Sequence, residues 1–127
     1  MNTNVKIALA VVAGAALGAA TIQGLHAQAK PKAYTISELE MLDAAANAAF
    51  VPLVQAAQQA AGARPFRTGG GRIVAIEGAA PKRVAIAEWD SLEQAEAFYK
   101  SKAWTDLAPQ RDKAVKIIRR YIVEAQN

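Results

Sequence analysis

Two segments, Arg72–Glu77 (RIVAIE) and Arg83–Trp89 (RVAIAEW), carry apolar residues on both parities. Ile73 and Ala75 alternate with Val74 and Ile76, and Val84 and Ile86 alternate with Ala85 and Ala87. Successive side chains of a strand point to opposite faces, so a sheet built from these segments has two apolar faces to keep from water. The turn residues Gly78, Pro81 and Lys82 between them predict a β-hairpin. A single layer of helices covers only one face. Stacking the other face on the same face of a second copy, in a two-fold homodimer, meets the remaining requirement.

The rest of the chain supplies the other elements. Ala33–Met41, with Tyr34, Thr35 and Ile36 favouring extended backbone, predicts a first strand, and Asp43 is a candidate N-cap for a helix after it. From Ala44 to Ala61, Phe50, Leu53, Val54 and Ala57 recur at helical period, and Gly62 supplies the stop. Pro52 inside that stretch predicts a kink or a first turn that docks separately. Arg64–Gly71 reads as a loop or the irregular start of a strand. Its three glycines precede a strand rather than open a helix and lack a following Lys-Ser/Thr, so a bulge or close backbone contact fits them better than a phosphate cradle. Ser91 with Gln94 forms a capping box for a helix to about Lys100. A second short helix is expected from about Ala103 to Val115, interrupted by Pro109, and Lys116–Glu124 is a β-branched closing strand. The order is βαββαβ, an α+β, ferredoxin-like arrangement with a four-stranded antiparallel sheet and helices on one face.

Residues 1–29 read as a secretion signal ahead of one domain, 30–127. Lys6 gives a basic start, Ile7–Ala20 is uncharged and apolar, and Ala27 and Ala29 fit small-residue cleavage after either alanine. The competing reading is a retained membrane anchor. Ile7–Leu25 approaches the ~20 residues of a spanning helix, but Gly14, Gly18 and Gly24 make it weakly apolar. A periplasmic or secreted location is therefore expected, with no stable membrane association after cleavage. The chain has a net charge of +4 and no cysteine, so lipid anchoring through cysteine is excluded. Its basic residues are scattered, and no nucleic-acid partner is expected.

The single histidine, His26, falls in the expected signal. The remaining chain therefore lacks the usual zinc, copper and haem-iron ligands, as well as Ser–His and Cys–His nucleophile pairs. No metal site and no cofactor is expected from these residues.

The run from Gly69 to Arg111 resembles the domain of unknown function 1330 family. The likeness lies in the glycines before Arg72, Glu77-Gly78, Pro81 with Arg83, Ser91, Phe98-Tyr99 followed by Ser101, Leu107 and Arg111. Tyr34 and the strand ending at Glu124 also fit. The resemblance implies a dimeric α/β barrel, a fold shared by small monooxygenases, haem-degrading enzymes, chlorite dismutase-like proteins and simple ligand binders, and it implies no particular activity. The export signal and the Ala-rich first helix depart from the commoner members.

Arg67, Arg72 and Arg111 are candidate anion ligands if they converge on one cleft; the alternative is that they are solvated or paired with Glu77, Glu88 or Asp112. Glu88 and Glu38 are candidate bases if apolar neighbours surround them. Tyr34, Tyr99 and Trp104 are candidate pocket walls or core residues. Two functions are consistent with these residues: a dimeric binding or accessory module for a small anionic or aromatic molecule, or a cofactor-independent oxygenase or isomerase using Glu, Tyr and Arg. An inward carboxylate in an enclosed pocket would favour the second.

Overall fold

Strand β1 (Ala33–Met41) is the inner strand on which the fold is organised in this computed structural model, which describes residues 30–126. The expected export signal, residues 1–29, lies outside the described residues. β1 pairs antiparallel with β3 (Arg83–Trp89) on one side and with β4 (Val115–Glu124) on the other. A short β2 (Arg64–Pro65) joins the free side of β3, giving the order β2-β3-β1-β4. This is the expected four-stranded antiparallel, ferredoxin-like sheet.

Helix α1 (Ala44–Ala60) begins where the Asp43 carboxylate accepts from the Ala46 amide at 2.6 Å, satisfying one of the donors that a helix start leaves free. Contrary to the expectation of a kink or a separate turn, it continues through Pro52 as one helix. Pro52 and Ala48 are both exposed, so water can serve the carbonyl that the proline leaves without a donor. Gly62 then turns the chain at φ +94°, and a Cβ there would collide with the Gln94 side chain.

Gln94 belongs to the predicted capping box. The Ser91 hydroxyl accepts from its amide at 3.1 Å, while its side chain takes the Asp90 amide at 2.8 Å and donates to the Ala61 carbonyl at 3.0 Å. One glutamine thus ties the end of α1 to the start of α2 (Leu92–Tyr99). The single helix expected over 103–115 is two pieces, α3 (Lys102–Thr105) and α4 (Ala108–Ala114). Pro109 sits in the first turn of α4, where no backbone donor is needed.

The predicted strand Arg72–Glu77, and with it the hairpin to β3, is absent from the described residues. The place beside β3 is taken earlier in the chain: Arg64 and Pro65 pair with Glu88 and Ala87, Phe66 donates its amide to Ile86 O at 2.8 Å, and the Thr68 hydroxyl donates to Val84 O at 2.8 Å. Residues 72–77 therefore have no strand neighbour and are exposed.

The core lies between the helices and one sheet face. Trp89 is wholly buried against Phe98 and Tyr99, and its indole N–H donates to Thr35 Oγ1 across the strand pair at 2.7 Å. Buried donors of this kind are costly to strand. Thr35→Val keeps the shape and removes the acceptor, so we expect it to lower unfolding free energy by about 1–3 kcal/mol, measured by urea denaturation.

Candidate functional site

The inner sheet face is unusually small-sided at its centre. Thr35, Ser37, Ala85 and Ala87 stand opposite the Val51–Gln58 stretch of α1, and their side chains do not fill the layer between sheet and helix. A cavity of about 410 Å³ results, within the size range of small-molecule sites. Leu39, Phe50, Val54, Val115 and Ile117 give it an apolar wall.

The charge in this cavity comes from a β-bulge. Glu38 pairs with Arg119 but Leu39 pairs with Ile117, so Ile118 is an extra residue in β4. Ile117 and Val115 face the helices before the bulge; Arg120 and Ile122 face them after it. Strict alternation from Ile117 would instead turn Arg119 inward. In its place Arg120 enters the cavity, half-buried, with Nε donating to Ser37 Oγ at 2.9 Å and the guanidinium 4.6 Å from the Trp104 ring centre and 5.5 Å from that of Tyr99. Burial lowers the Arg120 pKa; Tyr99 acts against this shift and Arg111 adds to it. Arginine nonetheless remains cationic. Arg67 and Arg83 also line the cavity, Arg83 donating to the Gly69 carbonyl at 2.8 Å, and none of the described residues that line it is acidic.

The residues singled out in the sequence are dispersed. Tyr99 lines the cavity, and exposed Arg67 stands at its rim. Arg111 lies 4.4 Å over the Trp104 ring, behind the cavity wall rather than in it. Arg72 is exposed among residues 71–80, outside the cavity. Tyr34 and Glu88 are on the opposite sheet face, where Tyr34 packs near Phe66 and Glu88 accepts from Arg64 at 2.7 and 3.0 Å. Glu38 shares that outer face, held by Arg119 at 2.6 and 2.8 Å. The three arginines therefore do not converge on one cleft. Arg120 and Arg83 were missed because both read as strand positions. Only the strand register separates Arg120 from Arg119.

Strand order, antiparallel pairing and one-sided helices define a ferredoxin-like α+β protein. The family model for the domain of unknown function (DUF1330) matches residues 32–126, and the chain belongs to that family. Among solved structures it is similar to a Rhodopseudomonas palustris protein of unknown function, RPA0582, at 14% identity and a TM-score of 0.60, covering 84% of this chain and 92% of that one. The methylated form of RPA0582 gives 14% and 0.59, covering 84% and 90%. A conserved Bacteroides thetaiotaomicron protein of unknown function, described as a possible oxidoreductase, gives 8% and 0.48 over 76% of this chain and 100% of that one. The two RPA0582 likenesses are to the fold. No curated protein matches the chain.

The outer-face ion pairs make acid stability testable. Hydrogen bonding to Arg119 holds the Glu38 pKa below its ordinary value despite partial burial. Its pairing thus stabilises the fold above the unfolded carboxylate pKa and is lost as pH falls through the lower folded value. We expect melting temperature to fall more steeply below about pH 4 in the wild type than in Glu38→Gln. Salt should shrink the difference, because Arg119 is 68% exposed.

Proposed function

We propose that this protein is an exported, homodimeric binding or accessory module that takes a small organic anion into the cavity between α1 and the sheet. The observation that carries the reading is a cavity lined, among the described residues, by three arginines and no carboxylate, with an apolar wall beside them. A ligand carrying negative charge supplies what the lining lacks, and a low-polarity wall strengthens that attraction. The carboxylates considered as bases, Glu38 and Glu88, face away from the cavity and are paired with arginines. That arrangement favours binding over acid–base catalysis by a glutamate. Export rests on the sequence pattern before residue 30.

A thermal-shift screen of the purified protein against small carboxylic acids and phenols tests the binding. At a concentration near 100 Kd a ligand should stabilise the fold by about 2.7 kcal/mol. The shift should vanish in Ala85→Leu, which extends a side chain into the cavity. A shift that survives in Ala85→Leu places binding elsewhere, and no shift from either compound set counts against the reading.

Dimerisation is supported by what the single chain leaves wet. On the outer sheet face, Ile36 sits between Ile86 and Tyr121 in register, and Tyr121 and Val123 are 45% and 48% exposed. Val74 and Ile76 of the unpaired 72–77 segment are 72% and 88% exposed. A second copy of the same face covers apolar surface with apolar surface, and the extended segment offers it a strand with open backbone groups. Sedimentation at micromolar concentration should give a dimer for the wild type. Val74→Asp/Ile76→Asp should shift it toward monomer without loss of helicity, since both side chains are already exposed. A wild-type monomer would remove this part of the proposal.

A further inference from the structure

Arg120 and Arg111 share one indole. Their guanidinium carbons lie 4.6 and 4.4 Å from the Trp104 ring centre; among the described residues Arg120 forms no ion pair, and Arg111 has only the exposed Asp112. Arg111 Nη1 is buried without any hydrogen-bond partner. The nearest carboxylate to Arg111 belongs to Asp112, 3.8 Å from Nε and 75% exposed. Glu96 lines a second, more open groove that Arg120 also borders, but the two form no ion pair. Two half-buried cations near each other are unfavourable unless an anion joins them.

The shape of the cationic group narrows the choice of anion. Ser37 engages Arg120 Nε, while Trp104 and Tyr99 hold the guanidinium, which leaves its Nη edge without a protein partner. A fixed planar fork matches a carboxylate by two parallel hydrogen bonds. The same fork also matches a phosphate, so the amount of charge that the surrounding wall tolerates decides between the two. Beyond Arg120 the wall is Leu39, Phe50, Val54, Val115 and Ile117, which suits an apolar body and penalises a second buried charge.

We infer that the cavity takes a hydrophobic monocarboxylate, its carboxylate on the free Nη edge of Arg120 and its apolar body against Phe50, Val54 and Ile117. This rests on the binding function proposed above and names its ligand class. Arg111 acts behind Trp104 as a positioning residue, holding the indole and adding positive potential.

Isothermal titration of the full chain with octanoate and phenylacetate, each beside its amide, tests the assignment. Acid should bind roughly 10- to 100-fold more tightly than amide in the wild type. The preference should persist in Arg119→Gln, which alters only the outer face, and collapse in Arg120→Gln. If Arg120→Gln does not fold, Arg120→Lys, which keeps the charge and loses the fork, should cut the preference by roughly threefold or more. Equal binding of acid and amide, or a preference untouched by both Arg120 substitutions, overturns the carboxylate assignment and leaves a small-molecule site in place. Binding of neither overturns it and, together with a negative thermal-shift screen, removes the binding function as well.

Discussion

One extra residue in β4 decides the chemistry of the inner face. Without the bulge at Ile118, alternation from Ile117 would carry Arg119 and Tyr121 toward the helices and send Arg120 and Ile122 outward. With it, Ile122 packs into the aromatic core, Arg120 reaches Ser37, and Arg119 is free to hold Glu38 on the outer face. Two adjacent arginines thus have separate tasks. One closes an ion pair beside an apolar surface, and the other places an unneutralised charge inside a cavity.

The cavity exists because large and small residues are unevenly distributed over the inner face. At one end, Trp89, Phe98, Tyr99 and Trp104 pack in tilted and edge-to-face pairs with ring centres 4.9–6.2 Å apart and bury much of the aromatic surface. Around Ser37, by contrast, the cross-strand neighbours are Ala85 and Arg120, too slight or too polar to fill the space below α1. The aromatic cluster anchors the layer and the small residues hollow it. Trp104 belongs to both regions, since it packs on Phe98 and carries two guanidinium groups on its ring.

The segment Arg72–Glu77 shows how local preference and global position can part. Its β-branched residues favour extended backbone, but β3 already has Arg64–Phe66 at its side, brought there by the tight turn at Gly62 directly after α1. Shorter connections close at lower entropic cost. The strand-like segment is left outside the sheet with its apolar side chains in water.

The fold class, strands β1, β3 and β4, the long helix α1 and the caps at Asp43 and Ser91 were legible from residue periodicity and local hydrogen-bonding chemistry alone, because such signals act over a few neighbouring residues. The family likeness was legible too, in the order of short motifs from Gly69 to Arg111. Tertiary structure alone decided which segment became β2, which face Glu38, Glu88 and Tyr34 occupy, and that Arg120 rather than Arg72 or Arg111 enters the cavity. Those outcomes depend on strand register and on competition for one sheet edge between residues far apart in sequence. A one-residue shift reverses every side chain beyond it, and no local pattern in KIIRRYIVE records where that shift falls.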